Sequence, residues 1–270
     1  MGIRTGKLVV AVLAALAVAS GCGAESTAGS GSSGGGSGDG DGEATAETIS
    51  SADEVIKIVD QGFRNHEPPA PGMVELYVGY GYVVENVSDK VAIGVQFQVD
   101  FSDEAGKPVG KSGDAVSVLL PGQKFGVGDL ENVEGEAAEM AVRVTMITHL
   151  DTPDGQLRKP KADYAELTTT GPETVSGGSG DRRKATVEVA NTYDIPVKPR
   201  VTAVVRDAQG ALIGGGASFG ERQEIAAGDS GPVEVSVDTR IDDGATGAVE
   251  YFTDPQFTAP LTKNPVWQDL

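Results

Sequence analysis

Residues 91–101 read VAIGVQFQVDF and carry the clearest secondary-structure signal in the chain. Its odd positions, from Val91 to Phe101, are all apolar, whereas most of the positions between them are small or polar. A period of two indicates a half-buried β-strand with its odd positions facing inward. The same alternation recurs over residues 76–84 and 140–146, while helical periodicity is hard to find elsewhere. The sequence therefore predicts an all-β protein.

The strand pattern occurs twice, with the same turn residues after corresponding strands. In the first copy, Asn86 follows one strand, and Asp103 and Gly106 follow the next. The second copy repeats these residues in the same order, as Asn191, Asp207 and Gly210. Asn can bond its own backbone two residues on, and Asp-x-x-Gly closes a hairpin. We therefore predict that these residues build turns in two tandem Ig-like antiparallel β-sandwich domains, at 52–160 and 161–256.

The order of strands and turns resembles the FxLYD family of small bacterial β-sandwich modules, and other Ig-like domains of Gram-positive lipoproteins. The stretches that align with the family's name motif are Val99–Asp103 and Ala203–Asp207. The resemblance covers about residues 75–150 and 183–253. It implies an extracytoplasmic module without catalytic chemistry.

The N-terminus has the pattern of a secretion signal that ends in a lipid attachment site. Arg4 and Lys7 precede an apolar run over residues 8–19, which is shorter than the roughly 20 residues that span a bilayer. The run leads to Cys22, the only cysteine of the chain, and the residues before it resemble a bacterial lipobox. We predict a lipoprotein signal peptide at 1–21 and a lipid on Cys22. The lipid would anchor the protein to the extracytoplasmic face of the cell membrane.

The segments on either side of the two copies have their own composition. Residues 22–51 begin with a Gly- and Ser-rich stretch that has almost nothing apolar to bury, which predicts a disordered tether. Residues 257–270 are predicted to be a C-terminal tail.

The charge balance limits the possible partners. The chain has 21 Lys and Arg against 40 Asp and Glu, a formal net charge of −19. Nucleic-acid binding needs a basic surface and is therefore not expected. The sequence predicts no cofactor and no enzyme activity. The partners it favours are the membrane, through the lipid, and an envelope protein or wall polymer bound by a non-catalytic module.

Two other functions deserve comparison with this hypothesis. Ser218 lies in a Gly-x-Ser-x-Gly sequence, which in secreted hydrolases places a nucleophile on a strand-to-helix turn with a later His. Both histidines, His66 and His149, precede Ser218, so a serine hydrolase is disfavoured. The other alternative is a solute- or metal-binding lipoprotein in which a His joins a carboxylate.

One strand offers a candidate binding face. Tyr77 is expected to point outward beside Gly79 and Gly81, and such a face could stack a sugar ring. The alternative is that these glycines mark a bulge or a close approach of another sheet.

Overall fold

The computed structural model describes residues 52–66, 76–151, 165–176, 183–218, 223–238 and 246–256. The predicted signal peptide, tether and C-terminal tail lie outside these residues. Within the described ranges the chain is nearly all antiparallel β-strand, with one turn of 3-10 helix at Ala52–Glu54. The all-β prediction is confirmed.

The first copy is a sandwich of two antiparallel sheets. Its described strands are β1 (Ile56–His66), β2 (Leu76–Asn86), β3 (Val91–Ser102), β4 (Pro108–Leu119), β5 (Lys124–Val133) and β6 (Glu139–Asp151). One sheet has the order β1-β2-β5 and the other has the order β4-β3-β6. Buried side chains from both sheets form one core, in which the rings of Tyr80 and Phe101 meet edge to face with centroids 5.5 Å apart.

The second copy repeats the order of strands along the chain, but its strands form one continuous sheet. Its described strands are β7 (Thr168–Thr170), β8 (Thr174–Ser176), β9 (Arg183–Ala190), β10 (Arg200–Arg206), β11 (Leu212–Ser218), β12 (Ser230–Val237) and β13 (Thr246–Asp254). The order is β7-β9-β12-β11-β10-β13-β8. Strands β9 to β13 correspond in order to β2 to β6. The sheet is continuous because β11 pairs with β12, whereas β4 and β5 belong to separate sheets.

All odd positions of the strand over residues 91–101 are buried, as predicted, but they enter two different clusters on either side of Gly94. From Val95 to Phe101 the odd positions do enter the main core. Before Gly94 the phase reverses: Ala92 enters the main core, and Ile93 packs in a separate small cluster. Gly94 has φ of 60°, a left-handed conformation that interrupts the regular pleat.

The two copies pack directly against each other within one compact unit, Thr48–Leu270. The outer faces of β2 and β5 meet those of β10 and β11, and we call this contact the inter-copy interface. At its centre the two backbones are in close contact. A Cβ added to Gly128 would lie only 2.7 Å from Gly215 Cα. Val83 and Val204 are buried together in the same interface. Thr202 Oγ1 adds a hydrogen bond of 2.7 Å to the Gly126 carbonyl.

Candidate functional site

Asn86 and Asn191 are buried and hold equivalent turns in the two copies. Asn86 Nδ2 donates to the Leu119 carbonyl at 2.9 Å, and Asn191 Nδ2 donates to the Ile225 carbonyl at 3.1 Å. Each Oδ1 also accepts from the backbone N–H two residues further on. Each side chain thus ties a strand end to a neighbouring loop, and both amides are occupied by the chain's own backbone.

The two Asp-x-x-Gly turns are also alike. Asp103 Oδ1 accepts from the backbone N–H groups two and four residues further on, both at 2.9 Å, and Asp207 Oδ1 does the same. Gly106 and Gly210 have φ of 75° and 85°, the left-handed conformation that these turns need. The structure therefore places these residues in turns at the surface.

Tyr77 lies near the start of β2 and is half-buried, opposite His66 on β1 and Asn132 on β5. The glycines that follow it are covered by the second copy. A Cβ on Gly81 would lie only 2.8 Å from the Gly214 carbonyl oxygen. These glycines therefore serve the close approach of another sheet, and the face beside Tyr77 is part of the inter-copy interface.

A buried His–Asp pair crosses the interface. His66 Nε2 lies 2.7 Å from Asp238 Oδ2, and the two side chains are 5% and 3% exposed. Gly79 leaves the space for them, since a Cβ there would lie 2.6 Å from the His66 nitrogen. Because each partner comes from a different copy, the pair exists only when the copies are docked.

A second polar group joins β4 of the first copy to β10 of the second. Arg200, from the second copy, donates through Nη2 to Asp114 Oδ1 at 3.1 Å and through Nη1 to the Ala115 carbonyl at 2.9 Å. Tyr80 donates to Asp114 Oδ2 at 3.2 Å. Burial raises the pKa of the Asp114 carboxyl, and the nearby positive charge of Arg200 opposes part of that rise.

Asp254 on β13 adds a second carboxyl that feels the charge of Arg200. It is buried, and its carboxylate accepts from the Ser117 backbone N–H at 3.0 Å and from the Ser117 hydroxyl at 3.0 Å. Ser117 lies at the interruption opposite Gly94, where β3 and β4 lose their regular pairing. The Asp254 carboxylate thus accepts from the Ser117 backbone N–H, which does not bond to the neighbouring strand there. Burial raises the pKa of Asp254, and the hydrogen bonds from Ser117 oppose that rise.

The raised pKa values of Asp114 and Asp254 predict that the fold becomes more stable at mildly acidic pH. A carboxyl whose pKa is raised by folding binds its proton more tightly in the folded state, so stability increases as pH falls toward the ordinary value of 3.8. We expect the full chain to resist urea better at pH 5 than at pH 7, and this difference to shrink in Asp114→Asn. Asp100→Asn, on the outer face of β3, is the control and should keep the wild-type difference. An unchanged pH dependence in Asp114→Asn would contradict the prediction.

Arg206 closes the rim of the interface. Its guanidinium donates to Asp60 on β1 and to Glu250 on β13, both at 2.6 Å. The same side chain also bonds the Gly210 carbonyl at 3.0 Å. Arg206 therefore links both copies and the second Asp-x-x-Gly turn, although partial solvent exposure of both carboxylates limits the energy it contributes.

A cavity of about 330 Å³ opens where the two copies meet beside β13. The first copy contributes Gln123 and Phe125 to its lining, and the second contributes residues 166–169 and 251–253. The Phe125 and Phe252 rings pack with centroids 5.7 Å apart. Ligand sites often form where two domains meet, and the volume lies at the lower end of the usual range. This inter-copy cavity is the candidate binding site.

The remaining predicted residues lie elsewhere. Ser218 ends β11, and its hydroxyl accepts a hydrogen bond from the Val201 backbone N–H at 3.1 Å. Cys22 lies outside the described residues. Within the described ranges, no group of three or more His, Cys, Asp or Glu side chains is arranged to hold a metal ion. The same ranges contain no helix that is both long and apolar enough to cross a bilayer.

No protein-family model matches the sequence, and no curated protein matches it. The similarity to FxLYD modules and to Gram-positive lipoproteins therefore stays a prediction from the sequence.

Sequence reasoning missed the polar groups of the interface. Asp114, Arg200 and Asp238 match no sequence motif, and the sequence suggests for His66 only a hydrolase histidine or a metal ligand beside a carboxylate. A signal was available in the glycine run at residues 214–216, because consecutive glycines inside a strand indicate close backbone approach. That signal marks one side of a contact, but it does not identify the partner strand.

Proposed function

We propose that this chain is a lipid-anchored protein of the extracytoplasmic membrane face, and that its paired β copies act as a non-catalytic binding unit. The observation that carries the binding part of the proposal is the inter-copy cavity, which both copies line. The anchor is supported by the position of the only cysteine, Cys22, directly after a secretion-type apolar run.

The docked copies suit such a role. The buried His66–Asp238 pair and the Arg200–Asp114 pair both cross the inter-copy interface, and so do the close glycine contacts. A cavity held between two interlocked modules keeps its shape, which lowers the ordering cost of binding. The partners we propose, besides the membrane, are an envelope protein or a wall polymer.

The anchor can be tested by metabolic labelling with an alkyne analogue of palmitate in a bacterial host. We expect label on the wild-type chain and none on Cys22→Ser, because the chain has no other thiol. Ser20→Ala is the matched control, since it keeps a small residue before the cysteine and should keep the label. Equal labelling of wild type and Cys22→Ser would overturn the lipid anchor.

A further inference from the structure

We propose that the inter-copy cavity binds a small neutral saccharide, an inference that rests on the proposed binding function and specifies its ligand. The first step is the charge of the lining. Among the described residues that line the cavity, Glu166 is the only charged one. A lining with a carboxylate and no cationic side chain, in a chain of net charge −19, opposes phosphates, carboxylates and other anions.

The second step is the hydrogen-bonding capacity of the lining. Thr168 supplies an exposed hydroxyl, and Glu166 supplies a carboxylate that only accepts. Gln123 supplies an amide NH2 donor, since its amide oxygen already accepts from the Leu120 backbone N–H at 2.9 Å. Hydroxyl, amide and carboxylate groups together match a ligand that carries many hydroxyl groups, each both a donor and an acceptor. Half-buried Tyr251 adds an aromatic ring, against which the C–H groups of a sugar can pack.

The third step separates a sugar from an organic cation, which also favours aromatic and acidic surroundings. A cation held without water needs aromatic faces directed at one point, or more than one carboxylate. Tyr251 and Phe252 are consecutive in β13, so their side chains leave opposite faces of the strand and cannot enclose one cation together. Glu166 is exposed and solvated. The lining therefore favours a neutral ligand.

The experiment uses the full chain purified in a detergent without a sugar headgroup. Saturation-transfer NMR and calorimetric titration are carried out with glucose, galactose and N-acetylglucosamine. Glucose 6-phosphate and tetramethylammonium serve as charged comparators. We expect saturation transfer to at least one neutral sugar and to neither charged compound. Losing one hydrogen bond should weaken sugar binding about fivefold in Thr168→Ala and in Glu166→Ala.

Thr170→Ala is the matched control, because Thr170 is also exposed on β7 but does not line the cavity. It should bind as wild type does. The proposal is overturned if no neutral sugar binds, if tetramethylammonium binds and the sugars do not, or if Thr170→Ala weakens binding as much as Thr168→Ala. Palmitate labelling of Cys22 is measured on the same preparations, so failure of the sugar proposal is distinguishable from failure of the anchor.

Discussion

Gly215→Ala is expected to lower the free energy of unfolding of the full chain by about 3 kcal/mol, at the upper end of typical overpacking costs. The new Cβ would lie 2.4 Å from the Ala203 carbonyl oxygen and 2.5 Å from Gly128 Cα. Both are backbone atoms, so no side-chain rotation can relieve the clash. The copies must move apart at Gly128, and β10 and β11 of the second copy must shift against each other at Ala203. Urea denaturation measures the loss.

The first copy supplies the control for this prediction. Gly215 corresponds to Lys111 on β4, so this position of the strand accepts a side chain when no other sheet covers it. Gly113→Ala should leave stability nearly unchanged, because its Cβ would lie 3.8 Å from the nearest atom and the corresponding residue of the second copy is Ala217. If Gly215→Ala were as stable as Gly113→Ala, the described interface would be wrong.

Arg200→Met is expected to cost about 3 kcal/mol at pH 7, the lower end of values for breaking a buried ion pair. Methionine keeps much of the apolar stem but removes the charge, so Asp114 and Asp254 remain in the interface without their cation. The loss should be smaller at pH 5, where burial favours protonation of both carboxyls. Urea denaturation at the two pH values measures both effects.

A double variant tests whether the cost arises from the uncompensated carboxylate. Adding Asp114→Asn to Arg200→Met removes one stranded charge and should recover part of the lost stability. If the double variant loses the sum of the two single losses, the pair is not coupled and the explanation fails. A loss from Arg200→Met that does not change with pH would contradict it as well.

Local structure could be predicted from the sequence where the cause is local. The turns at Asn86 and Asp103, and their counterparts in the second copy, depend on side chains that bond the backbone two to four residues away. The alternation from Val95 to Phe101 also appears as expected, because one face of that strand meets a continuous core. Gly94 reverses the alternation before that point, and the sequence does not show that this glycine adopts a left-handed φ.

The sequence does not show which faces of the two copies meet. Gln98 and Asp100 on β3 correspond to Thr202 and Val204 on β10, so the second copy presents small, uncharged side chains on that outer face. Such a face can be covered, but the sequence does not say by which surface. The His66–Asp238 contact likewise joins residues 172 positions apart, and no periodicity relates them.

The amino-acid order alone predicts the repeated turns and the alternation from Val95 to Phe101, since each depends on neighbours within a few positions. It also predicts a secretion signal at the N-terminus. The tertiary structure decides the roles of Gly79, Gly81, Arg200 and Asp254, and creates the inter-copy cavity. The physical reason is that close backbone approach and charge burial are properties of two surfaces together. A glycine or a carboxylate acquires its role in this protein from the strand of the other copy that packs against it.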